Sequence, residues 1–413
     1  METKKLGLPF SRKLRKVAIK AKDVAVNKGK QNIIIFAALI ALALLFYILN
    51  PNFFSKYNVV SMTQSLAPYA ILALGVTFVI ATGGIDLSIG TVCIASAVVA
   101  GHCYTKGMAL WLTIPMMIAI GGLFGLLNGV LVAKLKLPAF IATLGTMMLS
   151  RGLSALIVAV PNIFFPNGTW FNSAFSNLNG FPIGLVWVLG LMLVCMYLLY
   201  KNKIGRYILS IGSNEEATRL SGINTDKYKM LAYVFSGIGA GIAGIFWAAS
   251  FTTVASATGN GMELDAIAGV YIGGTSATGG VASVAGSVIG NMMLVVVRSG
   301  LNFVLAKFEL NMNSTYVTYA LTGIIVVVAV LIDTLKNKKA SRVKEDTPKQ
   351  KIKKHYEERK NALNDEIDGI YVDGTLGEDE RNSKIADIGE ELKTLKIDYL
   401  SELEKLKTGS AGV

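Results

Sequence analysis

The feature that most constrains this chain is a series of apolar runs, each close to the length needed to cross a bilayer. A hydrocarbon core about 30 Å thick needs about 20 apolar residues in a helix. Ten segments meet or approach that length: 32–49, 62–82, 86–101, 109–132, 138–160, 183–200, 229–249, 262–277, 280–299 and 316–333. The spans at 86–101 and 262–277 are short. Helices are the expected form, because open strands would leave backbone groups unpaired in lipid. The sequence therefore predicts an all-α polytopic membrane protein of about ten transmembrane helices.

Charge divides the 413 residues. Residues 1–340 hold 26 Lys/Arg against 10 Asp/Glu, whereas residues 341–413 hold 14 against 17. This marks a basic arm at 1–31, a transmembrane domain at 32–335 and a charged extension at 336–413. The basic residues flank apolar runs, so membrane topology explains them better than a nucleic-acid face does. Ten Lys/Arg in 1–31, Lys134 and Lys136, six in 201–229, and Lys336, Lys338 and Lys339 all fall on one side when there are ten spans. That side is predicted to be cytoplasmic and to hold both termini. The run 32–49 follows a long basic arm without an A-x-A-like end and is expected to be a retained span. The uncharged, aromatic-rich connection 161–182 is expected to cap the opposite face. In the extension, Ile385, Ile388, Leu392, Leu395, Tyr399, Leu403 and Leu406 follow helical spacing. They suggest a helical hairpin over roughly 349–407, either a solvated extension or a partner-binding element.

Paired glycines interrupt the apolar pattern twice. One break is Gly83-Gly84, followed by Asp86, Ser88 and Gly90. The other, with Glu263 and Asp265 before it, holds Gly273-Gly274, Thr275, Ser276, Thr278 and Gly279-Gly280. A broken span frees backbone groups that must face protein or a water-lined cavity, and transporters place their sites at such breaks. Asp86 reads either as the cap of the third span or as a polar group on a substrate path. Glu263 and Asp265 carry the same pair of readings for the eighth span. Arg151 and Arg298 are the intramembrane bases that could pair with an acid. The glycines of "SGIGAGIAGIF" (236–246) read as packing positions.

No catalytic apparatus is visible. Two histidines, His102 and His355, and three unpaired cysteines form neither a metal set nor a triad, and no P-loop pattern occurs. No cofactor is expected on this chain. In the 201–229 connection, Asn214 is placed to cap a short helix whose first turn carries Glu215 and Glu216, with Gly222 ending it. It reads either as a plain connector or as a handle that a partner pushes.

Three motifs together, "GGIDLSIG" (83–90), "IGSNEEATRLSGIN" (211–224) and "ELDAIAGVYIGGTSATGG" (263–280), resemble the permease subunits of ribose/galactose-type ABC importers over about residues 50–335. The resemblance implies an inner-membrane permease that works as a homodimer in the membrane lipid. It also implies a separate ATPase that binds the ATP and an extracytoplasmic binding protein that delivers a monosaccharide. It assigns the ATPase coupling region to Glu215, Glu216, Ala217, Thr218, Arg219 and Gly222. Thr218 replaces an alanine of the wider E-A-A-x-x-x-G signature, and the downstream leucine-proline is missing. The pathway or gate is expected among Gly83, Gly84, Asp86, Ser88, Glu263, Asp265, Gly273, Gly274, Thr275, Ser276 and Thr278. Two alternatives stay open at this point. One is an ABC permease for nucleosides or branched-chain amino acids. The other is a proton-coupled secondary transporter using Asp86, Glu263 or Asp265 as relay.

Overall fold

The computed structural model describes residues 32–158, 162–255, 258–307, 348–372 and 377–407, with isolated positions between 316 and 331. The 1–31 arm and most of the expected span 316–333 lie outside the described residues. The chain divides into two units, residues 1–336 and 337–413.

The first unit is built of helices. Seven among the described residues are long and apolar enough to cross a membrane. They are α1 (Asn32–Leu49), α2 (Lys56–Ala81), α4 (Leu110–Gly129, prolonged by a wider turn to Lys134), α5 (Ala139–Ile157), α7 (Ile183–Met196, prolonged likewise to Lys201), α10 (Thr225–Phe251) and α12 (Val284–Lys307). Between them lie α3 (Ile89–Thr105), α6 (Trp170–Phe175), α8 (Lys203–Ser213), α9 (Glu215–Leu220) and α11 (Met262–Ile272). Strands β1 (Asn162–Phe164) and β2 (Thr253–Ala255) pair antiparallel, with Ile163 opposite Val254.

Several expected edges move, each for a local reason. The third expected span starts later, at Ile89, because residues 82–88 run as a turn and an extended link. The eighth, expected to reach 277, stops at Ile272, because Gly273-Gly274 turns the chain, Gly274 with φ +86°. At 11 residues, α11 is too short to span alone. The 201–229 connection holds a second, amphipathic helix, α8, whose start Asn202 caps by accepting from the Ile204 N–H at 3.0 Å. The aromatic connection 161–182 contributes a strand and a short helix that a charge-free loop did not suggest. Phe165 stacks there on Phe171, Phe171 meets Phe175, and Phe175 meets Phe246 of α10 edge-on.

The core is organised around α2 and α10, with α3 and α4 packed on them. Alpha-helices in lipid gain little from burying one apolar surface against another, so close backbone approach carries the packing. The glycines of α4 and α10 supply it. A side chain at Gly237 would collide with the backbone of Gly121 and Gly125, and one at Gly241 with that of Met117. The 236–246 glycines are thus packing positions, as their spacing predicts. Gly239 does the same against Gly75 of α2.

The second unit is a helix pair, α13 (Pro348–Val372) and α14 (Glu378–Lys407). They pack antiparallel, with the Tyr356 and Tyr399 rings stacked at 4.4 Å and an Arg359–Glu391 ion pair at 2.7 Å. Leu363 and Ile388 are buried between them.

Candidate functional site

The link between α2 and α3 carries the first polar centre. Asp86 is 1% exposed, and both its carboxylate oxygens accept hydrogen bonds. Oδ1 takes the Ser88 hydroxyl at 2.6 Å, the Ser88 N–H at 3.0 Å and a longer contact from the Asn128 amide at 3.4 Å. Oδ2 takes the Ser236 hydroxyl at 2.8 Å. Asn128 also donates to Ser88 Oγ at 2.8 Å and accepts from the Thr146 hydroxyl at 2.6 Å. One carboxylate therefore ties the start of α3 to α4, α5 and α10. The residue that begins α3 is Ser88, whose own side chain caps nothing. Asp86 thus holds the turn before the helix rather than the free N–H groups of its first turn. Asn128, Thr146 and Ser236 were not singled out from sequence. Their signal was an isolated polar residue inside an apolar helix, which in lipid needs a partner.

The two glycine breaks, nearly 200 residues apart, meet. The Gly280 N–H donates to the carbonyl of Ala81 at 3.0 Å, and a side chain at Gly279 would strike Gly83. Gly212 of α8 closes the third side, with no room for a Cβ between Ala81 and Gly280. Within the second break, Thr275 Oγ1 accepts from the Ser283 N–H at 3.0 Å, and the Ser276 and Thr278 hydroxyls bond to each other at 2.9 Å. The Tyr233 hydroxyl on α10 donates to the Ile85 carbonyl at 3.2 Å and braces the first break.

A cavity of about 440 Å³ opens beside this junction, lined by Gly83 and Gly84 on one wall and by Glu215, Arg219, Lys229 and Lys136 on the other. Alpha-9 forms part of that wall. Asn214 caps it by accepting from the Ala217 N–H at 2.9 Å, and Gly222 follows it with φ +81°, as the residue order predicts. Glu215 bonds Lys229 at 2.5 Å and Arg219 at 3.3 Å, and Lys136 pairs with Asp226. Partial burial alone would push the Glu215 carboxyl up. The bond and charge of Lys229, with Arg219 and Lys136 behind them, outweigh it and hold the carboxyl below its ordinary range. Glu216, Ala217 and Thr218 complete α9, Thr218 facing inward and Glu216 exposed.

Glu263 and Asp265 lie apart from this junction, on the first turn of α11. Asp265 pairs with Arg298 of α12, the guanidinium of which lies 5.0 Å from the centre of the Tyr69 ring. Glu263 Oε1 accepts from the Gly261 N–H at 3.2 Å, while its Oε2 is buried without a partner against Gly90. Arg151 donates to Asn260. The structure therefore gathers Gly83, Gly84, Thr275, Ser276 and Thr278 at one junction, puts Asp86 and Ser88 in a sealed knot beside it, and sets the other two acids elsewhere. Among the described residues no cluster of His, Cys, Asp and Glu could hold a metal ion.

Residues 58–330 match a family described as "Branched-chain amino acid transport system / permease component". The chain belongs to this permease family. The permease is 36% identical over 311 residues to the ribose import permease protein RbsC of Escherichia coli strain K12, covering 72% of this chain and 92% of that one. It is 34% identical to the fructose import permease protein FruF of Bifidobacterium longum, over 65% of this chain and 76% of the relative. To the autoinducer 2 import system permease protein LsrC of Photorhabdus laumondii it is 32% identical, over 70% and 87%. No solved structure matches it. The permease is a multi-pass inner-membrane protein and a transport subunit of an importer, not a catalyst.

Proposed function

We propose that this permease forms the translocation path for a monosaccharide in an ATP-driven importer. The names of its relatives, two of which specify ribose and fructose, support a sugar over a nucleoside or a branched-chain amino acid. A separate ATPase hydrolyses ATP, an extracytoplasmic binding protein delivers the sugar, and a second copy of the chain completes the path within the lipid. Ten spans and cytoplasmic termini agree with the Lys/Arg asymmetry.

The observation that carries this reading is the packing of α8, which leads directly into α9, on the glycine junction at Gly212 and Ser213. Alpha-9 walls one side of a cavity whose other side is Gly83-Gly84, and Gly83 touches the second break at Gly279. A displacement of Glu215–Leu220 by the ATPase is thereby passed to both breaks at once, and two packed arrangements of such a junction make a gate. Gly83, Gly84, Gly273, Gly274, Thr275, Ser276 and Thr278 move in it. Asp86 and Ser88 hold the hinge, while Glu263 and Asp265 line the path above. The closed bonding of Asp86 favours this latch role over proton relay.

The test is ATP-driven sugar uptake by the assembled complex carrying Glu216→Arg or Gly222→Val. Glu216 is exposed and Gly222 has open space around it, so neither change disturbs packing. The valine instead strains the left-handed turn. Uptake is expected to fall at least about tenfold, a loss near 1.4 kcal/mol of coupling. Unchanged uptake in both variants defeats the assignment of α9.

A further inference from the structure

At the end of the bundle that carries the β1–β2 ribbon, a second cavity of about 260 Å³ lies between the start of α2 and the ends of α10 and α12. None of the residues expected from sequence to line a path borders it. Its walls are of two kinds. Tyr69 and Trp247 form an aromatic corner, their rings 6.5 Å apart and nearly perpendicular. Around it stand the short polar side chains Ser65, Ser299 and Asn302 and the guanidinium of Arg298.

The charge of the cavity is already settled. Asp265 pairs with Arg298 from behind, and the Tyr69 ring lies under the guanidinium. Among the described residues no carboxylate lines the cavity. An amino acid would bring an ammonium group with no anion to meet it, a costly arrangement away from bulk water. A neutral ligand meets no such cost. The volume is below the roughly 300–1,000 Å³ of sites for drug-sized ligands, so the occupant is small. The Trp247 Nε1–H and Arg298 Nε–H are buried without acceptors, and these are groups that a polyhydroxylated ligand, after a small turn of either side chain, satisfies. An apolar C–H face on aromatic carbon, with hydroxyls turned to serine, asparagine and arginine, is the pattern of a sugar ring.

We infer that this cavity is a monosaccharide subsite within each protomer, on the outer half of the path, with Trp247 and Tyr69 as its platform and Arg298, Ser65, Ser299 and Asn302 as its hydroxyl contacts. This rests on the monosaccharide reading above and adds where the sugar pauses before the glycine gate. Asp265 is a positioning residue, since it acts by holding Arg298.

Two measurements test it. In the first, a Ser65→Cys permease, with Cys93, Cys103 and Cys195 replaced by alanine, is labelled in membranes by a small thiol reagent with and without D-ribose, D-fructose or L-leucine. Labelling is expected to slow with one of the sugars by the factor 1 + [L]/Kd, roughly threefold at twice Kd, and not with leucine. In the second, uptake of radiolabelled D-ribose and D-fructose is measured for the complete importer. Trp247→Leu is expected to cut uptake about tenfold or more, Trp247→Phe much less, and Trp111→Leu, at an exposed position, not at all. Wild-type uptake without sugar protection of Ser65→Cys, or full uptake by Trp247→Leu, overturns the subsite and leaves the cargo class standing. Protection by leucine with no sugar uptake by the wild type overturns both.

Discussion

At the residue scale the chain depends on polar side chains whose partners come from distant helices. Asp86 draws on α4 and α10 as well as its own turn, so removing it leaves several buried donors without an acceptor. Asp86→Ala is expected to lower stability by about 2–4 kcal/mol, and Ser236→Ala, which removes one donor of several, by about 1 kcal/mol. Thermal unfolding of the purified permease in detergent checks the order. Equal, small effects contradict the network. Glu215 gives a pH dependence of definite sign. Its carboxyl is held below the ordinary glutamate value of about 4.3, so its ion pair is fully formed above that value. The pair is lost only as pH falls through the lower, folded value. A spin label at Leu220→Cys, an exposed position, is expected to keep its mobility from pH 8 to about 5 and to loosen below about 4.3. Glu215→Gln should loosen it at neutral pH. Loosening of the parent chain between pH 7 and 5 contradicts the shift.

At the element scale, the long apolar helices and the capped α9 were legible in the sequence because each rests on a local signal: run length, Asn214, Gly222. The elements that were misread depend on tertiary partners. Alpha-11 looked like part of a longer span because Thr275, Ser276 and Thr278 are small and uncharged; what ends it is the turn at Gly273-Gly274 packed on Gly286. The meeting of the two breaks was not legible at all, since nothing local in Gly83 points to Gly279. The same holds for Tyr69, Trp247 and Arg298, which come from three helices and carry no shared motif. The α4–α10 contact yields a direct prediction. Gly237→Val places atoms where the backbones of Gly121 and Gly125 already lie, and forces the helices apart. A loss of at least about 1–3 kcal/mol is expected, read as a lower midpoint of thermal unfolding. By contrast, Gly145→Val on α5, with open space around it, should cost under about 1 kcal/mol. Equal behaviour of the two variants removes close packing as the organising contact.

At the scale of the whole molecule, the proposed function gives the permease a gate and a path and leaves the driving of them to a separate ATPase. The described residues hold no metal cluster, and the sequence has no P-loop. Of its buried acids, Asp86 is bonded on both oxygens and Asp265 is paired with Arg298, whereas Glu263 keeps one oxygen without a partner. On the proposed function, energy enters from outside, through α9. The most direct measurement is uphill transport by the chain alone. Reconstituted into sealed liposomes without partners, it is expected to leave internal D-ribose no higher than external, with or without a pH gradient and with or without ATP. Accumulation should appear only when its ATPase and binding protein are added. Uphill uptake by the lone permease under a pH difference would contradict the account.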